Sequence, residues 1–466
     1  MKTILIKFDN SFFVRNFLRT DALSIMLARP DVRLVLLAPV EKIGYYQKEF
    51  LHLASLRPRI GANLLFEPLP QYRYVRMERI FKFIEMAGIH TRTATLIHRT
   101  EFVRTRGQKW LLRRFARYAA QRFCWHLGRF TAFRRFIRWV YYVLPSDAFS
   151  DIFSRYRPDL VYCSSLLPGD ARLLKEAKRG GIRTAGMILS WDNLYSKTFL
   201  RVYPDTLLAH TSRVADQALM YGDYPAEQIT LIGIPQYDRY MRKSDVVPRK
   251  EFIRWLGGDP NKRLIVYAVS GKAGLHIDLE IVEAIHYAIE KKEITYPAQV
   301  LFRPYPRYDA TEEQIKRLQN RYGMLVKPSM AHVGKGKDSW EFDEQSLWLL
   351  SNTLAHADVV IVMYSTFFIE AAIFDKPLIA AAFDKEPRSY WHSARRFFEW
   401  DHLRELGEFG GITYARSREE LINAINLSFE NPSHLHEGRR RMVETQCQYT
   451  DGKSAERLAN ELLKLL

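Results

Sequence analysis

The residues best suited to chemistry sit at one short junction. Val359–Val362 is apolar enough for a buried strand, which ends at Met363 and Tyr364. Ser365 and Thr366 then open a helical pattern that carries Glu370 about one turn in. Open backbone N–H groups at a helix start, joined by two hydroxyls, suit a diphosphate. A carboxylate on the same end of the helix can accept hydrogen bonds from a ribose diol. The place is also right, because α/β proteins bind ligands beyond the carboxyl ends of their strands. The alternative is a plain Ser/Thr cap with a first-turn glutamate favoured by the helix dipole.

Further candidates follow other strands. Ser270, Gly271 and Lys272, in the run Ser270–Gly274, come after Leu264–Val269; glycines there permit close backbone approach to phosphates. The spacing is not that of a Walker loop. Arg303, Tyr305 and Arg307 follow Gln299–Phe302, where cations suit a phosphate or a base. With Tyr364, these complete the predicted donor contacts. In the first half, Trp191–Asp192–Asn193 follows Thr184–Ser190. A displacement onto a hydroxyl acceptor needs a carboxylate or imidazole to take the proton. Asp192 is the first candidate for that base and Asp9 the second; for both, the alternative is a carboxylate capping its own turn. Arg15, Asn16, Trp191 and Asn193 are the candidate acceptor contacts. The histidines show no H-x-x-x-H spacing or His/Asp cluster, so no structural metal and no cofactor is implied. A loosely bound divalent cation on the diphosphate stays open.

These positions need a scaffold of buried strands. Short apolar runs alternate with helical patterns in two series: Thr3–Phe8, Val32–Ala38, Leu160–Ser164, Thr184–Ser190, Thr206–Ala209 and Thr230–Ile234, then Leu264–Val269, Gln299–Phe302, Val359–Val362 and Leu378–Ala382. Continuous apolar strands separated by helices indicate parallel sheets covered on both faces. Two series predict an α/β protein of two Rossmann-like domains whose sheets face a cleft. Residues 1–240 form the acceptor domain, with an insertion at 73–143; 241–262 is a polar, Gly- and Pro-containing linker; 263–450 is the donor domain; 451–466 is a C-terminal helix. Met1–Phe8 reads as the first strand rather than a signal peptide.

Composition narrows the class. With 466 residues, 47% of them hydrophobic, a large core can form and global disorder is excluded. Three cysteines without short spacing argue against a disulfide framework or zinc knuckle and favour the cytoplasm. No apolar run is long enough to span a bilayer. The net charge is +18, and twelve basic residues against one acid, Glu101, fall between Arg99 and Arg138. There the arginines alternate with Trp110, Phe115, Phe123, Trp125, Phe130, Phe136 and Trp139. Aromatics at the headgroup level and arginines toward anionic lipid make an interfacial helix over 99–141. The alternatives are a packed helical pair with solvated arginines, or a nucleic-acid surface.

The stretch ADVVIVMYSTFFIEAAIFDKPLIAAAFD resembles the nucleotide-sugar segment of GT-B glycosyltransferases of the bacterial surface-polysaccharide type. It is similar also in the related CDP-glycerol glycerophosphotransferase and sugar 2-epimerase group. LFRPYPR resembles the R-P-H-P element of that group, with Tyr305 where the pattern has histidine. ILSWDNLYSK, LIGIPQYDRY and TDGKSAERLA resemble its first-half, hinge and C-terminal-helix segments. The likeness runs from about Ile182 to the end and, weakly, over Met1–Leu65; it does not cover the basic insertion. It implies that Ser365 and Thr366 hold phosphate and Glu370 holds ribose. It further implies transfer of a sugar from a nucleotide-sugar donor to a surface polysaccharide or lipid-linked acceptor at the cytoplasmic face of the inner membrane. A CDP-glycerol-type transfer and a non-enzymatic membrane- or nucleic-acid-binding protein are the alternatives.

Overall fold

The computed structural model describes residues 1–8, 10–55, 63–70, 76–104, 111–243, 245–269, 275–304, 312–327, 331–333 and 339–466. The chain divides into two compact units. The first comprises Met1–Asp238, Val333–Lys335 and Asp451–Leu466, and the second Arg239–His332 and Gly336–Thr450.

The first unit is built on a parallel sheet of β1 (Lys2–Lys7), β2 (Val32–Ala38), β3 (Leu64–Pro68), β4 (Leu160–Cys163), β5 (Arg183–Met187), β6 (Thr206–Ala209) and β7 (Ile229–Leu231). The order is β3-β2-β1-β4-β5-β6-β7. Ile4, Leu5 and Ile6 of β1 are fully buried, as expected of a strand covered on both faces. The C-terminal helix Ser454–Lys464 packs here, placing Ala455, Leu458, Ala459 and Leu462 in the core with Ile4 and Ile6. Asp238 caps that helix, its carboxylate accepting from the backbone N–H of Ser454 at 3.0 Å and of Ala455 at 2.7 Å.

The insertion forms four helices, Arg76–Ala87, Arg92–Arg104, Leu111–Gly128 and Thr131–Val143. Two devices fix them. Gly128 lies against Gly88 so closely that a Cβ on Gly128 would stand 1.7 Å from the Gly88 carbonyl oxygen. In addition, Arg201 is fully buried, paired to Glu85 at 2.7 Å and to Glu78 at 3.3 Å, with its guanidinium 4.4 Å from the centre of the Tyr141 ring.

The second unit holds β8 (Arg263–Ala268), β9 (Ala298–Arg303), β10 (Leu325–Val326), a hairpin of β11 (Ala331–His332) and β12 (Trp340–Glu341), then β13 (Val359–Val362), β14 (Leu378–Ala381) and β15 (Thr413–Ala415). The main sheet is parallel, ordered β10-β9-β8-β13-β14-β15. Its register aligns Arg303 with Ala268 and Ala268 with Val362, so the carboxyl ends of β9, β8 and β13 are level. The stretch expected as a linker, 241–262, contains the helix Arg249–Leu256 and belongs to this unit. Phe252 is buried there, edge-on to Trp348 at 5.7 Å. Its glycine and proline signals mark caps: Gly257, at φ 85°, closes that helix.

Candidate functional site

The candidate junction begins at a rigid strand. All four residues of β13 are fully buried, as is Met363. The chain then emerges: Tyr364, Ser365 and Thr366 are half-buried, and a helix runs from Phe367 to Ile373. Ser365 does the capping, its Oγ accepting from the Phe367 N–H at 3.2 Å. Thr366, the residue at the helix start, makes no capping bond with its hydroxyl. The cap explanation thus covers one of the two hydroxyls. Arg303 arrives at the same place because the register brings the end of β9 level with β13; its guanidinium lies 5.0 Å from the centre of the Phe367 ring. Two sequence signals some sixty residues apart meet at one junction.

Tyr364 is stacked on Phe397 with ring centres 3.8 Å apart and meets Trp400 edge-on at 5.6 Å. This makes an aromatic wall beside the junction. Glu370 sits deeper than the hydroxyls. It is 5% exposed, and its Oε2 accepts a 2.6 Å hydrogen bond from Tyr240, itself buried. That bond anchors the first turn of the helix to Tyr240 and leaves Ser365, Thr366 and Arg303 as the accessible part. Ser270, Gly271, Lys272, Tyr305 and Arg307 lie outside the described residues.

In the first unit, Asp192 follows β5 at the start of a short helix, Asn193–Ser196, without capping it. Its carboxylate is engaged by Lys197, whose Nζ lies 2.9 Å from Oδ2 and 3.2 Å from Oδ1 of Asn193. The candidate base is therefore a carboxylate–ammonium pair. Asn193 is fully buried beneath it and Trp191 is half-buried. Arg15 and Asn16 belong to a π-helical turn, Val14–Leu18, and both are buried. Asn16 donates to the Phe12 carbonyl at 3.0 Å and accepts from the Gln236 N–H at 3.3 Å. Its amide ties this turn to the 3₁₀ turn Pro235–Tyr237. Asp9 lies outside the described residues.

The structure adds groups that sequence reasoning passed over. His210 directly follows β6, is 5% exposed, and its Nε2 has no hydrogen-bond partner among the described residues. Burial pushes its imidazole down to about 4, so it is neutral at pH 7. Lys7, the last residue of β1, forms a buried pair with Asp170 at 2.5 Å, and Ser165 donates to the other carboxylate oxygen. A lone histidine after a strand and an Asp in a helical pattern carry no sequence signature of these positions. Among the described residues, no group of three or more His, Cys, Asp or Glu is placed to hold a metal ion.

The insertion corrects part of its sequence reading. Arg134 and Arg138 do not face outward: both pair with Asp223, with Arg138 Nη1 2.9 Å from Oδ2, and Arg138 also donates to the Phe199 and Gly222 carbonyls. Leu112, Phe115, Phe123, Phe136 and Trp139 are each more than half exposed, alongside exposed Arg113, Arg117, Arg129 and Arg135. Among the described residues, no helix is long and apolar enough to cross a membrane.

The family model "CDP-Glycerol:Poly(glycerophosphate) glycerophosphotransferase" matches residues 209–464, more than half of the chain. No curated protein matches significantly. Among solved structures, UDP-GlcNAc 2-epimerase from Neisseria meningitidis bound to UDP-GlcNAc is similar at TM-score 0.55 and 11% identity, covering 100% of both chains. The S. aureus MnaA–UDP co-structure is similar at TM-score 0.54 and 11% identity, over 100% of this chain and 98% of that one. A glycosyltransferase from Rickettsia africae reaches TM-score 0.50 at 11% identity, over 99% of each. At such identities the likeness establishes the fold: two Rossmann-like domains of the GT-B type.

Proposed function

The chain belongs to the CDP-glycerol:poly(glycerophosphate) glycerophosphotransferase family, and from that premise we propose that it transfers a group from a nucleotide-diphosphate donor to a cell-surface polymer or lipid-linked acceptor. Support comes above all from one convergence: Arg303 reaches the strand-to-helix junction at Phe367 whose neighbouring Thr366 hydroxyl is not used as a cap. In this reading Ser365 and Thr366 hold the diphosphate and Arg303 offsets charge developing on the departing nucleotide. Lys272 and Arg307 are further proposed cations for the diphosphate, and Glu370, buried and bonded to Tyr240, positions the turn that presents Ser365 and Thr366. The transferred group is a sugar, as UDP-GlcNAc is the ligand named for a neighbour of this fold. A second reading, transfer of glycerol phosphate, is favoured by the family match; against it stands Tyr305, a phenol where the family element has an imidazole.

Asp192, working with Lys197, takes the acceptor proton in a direct displacement, with Asp9 as the second candidate. Asp192→Asn is expected to lower turnover by about 10²–10⁴-fold; near-normal turnover in a single-turnover assay removes Asp192 from the mechanism. Titration calorimetry with UDP-, GDP-, CMP- and CDP-linked donors side by side tests the donor class. Tight binding of a nucleotide-sugar supports glycosyl transfer, preference for CDP-glycerol supports the second reading, and binding of none overturns both.

The exposed aromatic and arginine face of the helices Leu111–Gly128 and Thr131–Val143 fits an anionic bilayer surface. Aromatic side chains enter the headgroup boundary while Arg113, Arg117, Arg129 and Arg135 meet lipid phosphates, at about 1 kcal/mol for each basic residue near the surface. In this reading the enzyme works peripherally on the cytoplasmic face, beside a lipid-linked acceptor.

A further inference from the structure

A second feature of the donor-side unit has no role in the reading above. At the carboxyl edge of β14 and β15 lies a cavity of about 680 Å³. Ala382, the residue after β14, lines it, and its backbone N–H bonds to the Ala415 carbonyl at the end of β15. Around it stand Arg395, Arg404 and Arg416, with Phe398 and Tyr414 as the apolar wall. The three arginines come from separate segments: the 3₁₀ turn Ala394–Glu399, the helix Asp401–Glu408, and the residue following β15. None of Ser365, Thr366 or Glu370 lines this cavity.

The arginines here differ from others in the same unit. Arg388 pairs with Glu280, Arg418 with Glu293, Arg439 with Asp375 and Arg440 with Glu437. The side chains of Arg395, Arg404 and Arg416 are exposed at the mouth of the cavity and have no hydrogen-bond or ion-pair partner among the described residues. Gathering three guanidinium charges about one cavity is repulsive, and Glu408 is the one carboxylate in its lining. Phe398 and Tyr414 meet edge-on at 5.5 Å. Tyr414 reaches this position because position 407 is glycine: a Cβ there would stand 2.6 Å from the tyrosine oxygen.

We propose that this cavity binds a phosphate ester, its phosphates bridged by Arg395, Arg404 and Arg416 and its organic part resting on Phe398 and Tyr414. Guanidinium forks match phosphate oxygens in pairs, and the rings supply a surface for a base or a polyol. Two sources share this chemistry: a nucleoside diphosphate, and a phosphodiester polymer serving as acceptor. The inference stands on the cavity and is independent of the donor junction.

The test is calorimetry on the full chain with CDP, UDP and a defined oligo(glycerol phosphate) as probes. Wild type is compared with the triple variant Arg395→Gln/Arg404→Gln/Arg416→Gln and with Gly407→Val, which crowds Tyr414. An exposed, paired control, Arg440→Gln, reports non-specific charge. The triple variant is expected to weaken at least one probe by about tenfold or more, with Gly407→Val acting in the same direction and the control unchanged. Loss confined to the nucleotides identifies a nucleotide site, and loss confined to the oligomer an acceptor site. Unchanged binding of every probe overturns the proposal, as does an equal loss in Arg440→Gln. Thr366→Val separates the two sites, because its effect on nucleotides belongs to the junction alone.

Discussion

Two groups of arginines invite opposite readings from the sequence, and the structure pairs part of the first while leaving the second unpaired. The run from Arg99 to Arg138 is the most basic part of the chain and suggests a surface built for an anion. Yet Arg134 and Arg138 are sunk onto Asp223 and onto backbone carbonyls, where they hold the insertion to the loops at 199–200 and 222–223. Arg395, Arg404 and Arg416 form no run and stand out nowhere in the sequence, but they surround a cavity with no side-chain partner among the described residues. Charge density along a chain measures composition; capacity to bind depends on whether each charge already has a partner. The same contrast separates Asp192, engaged by Lys197, from Thr366, whose hydroxyl caps nothing.

The sharpest way to break this comparison is Asp223→Asn. Burial pushes the Asp223 carboxyl up, but hydrogen bonds from Arg134, Thr131 and Arg138 outweigh it and hold the group down at about 2. Removing the charge leaves two largely buried guanidiniums uncompensated, so a loss of about 3–5 kcal/mol in denaturant unfolding is expected. A change below 1 kcal/mol would make these arginines as free as those of the cavity. The sign with pH follows: the folded carboxyl titrates below its unfolded value, so this contribution is present above about pH 4 and is lost as pH falls through about 2.

Next in size is the exposed face of the insertion. Phe123→Ser with Trp139→Ser should cut partitioning onto vesicles containing anionic lipid by about tenfold or more, without a comparable loss of thermal stability, since both rings are more than half exposed. Equal partitioning would return this face to ordinary solvent exposure.

His210 acts on stability through pH alone. Burial keeps the folded imidazole at about 4 while the unfolded one takes up a proton near pH 6.5. Stability is therefore full above pH 6.5 and declines as pH drops from 6.5 toward 4; His210→Asn should flatten that part of the stability–pH curve. The smallest effect belongs to the triple Arg395/Arg404/Arg416→Gln variant in the absence of ligand. With no pairs to lose, its stability should stay within about 0.5 kcal/mol of wild type or rise slightly. A large loss would show that these arginines are structural after all.

Much of the scaffold was legible because buried parallel strands write continuous apolar runs. Val32–Ala38, Thr206–Ala209 and Val359–Val362 coincide with β2, β6 and β13. The pieces that escaped are short or weakly apolar: β10 has two residues, β15 three, and β3 ends in Glu67 and Pro68. The span 241–262 reads as a linker because its glycines and prolines are turn formers, yet those residues cap a helix whose Phe252 is buried. The meeting of Ser365, Thr366 and Arg303 was legible because strand ends in such sheets are level. The bond of Tyr240 to Glu370 spans 130 residues, and the three cavity arginines come from three segments. Partnerships of that kind leave no local periodicity to read. The bond of the Gln236 N–H to Asn16 likewise spans 220 residues.

The measurement that bears most directly on the account is nucleotide binding at the junction itself: calorimetry of UDP and CDP with wild type, Thr366→Val and Arg303→Gln, at fixed salt. The account predicts that at least one nucleotide binds wild type and that each variant weakens it by about tenfold or more, the scale of one lost charge-assisted hydrogen bond. Wild-type affinity in both variants would contradict it.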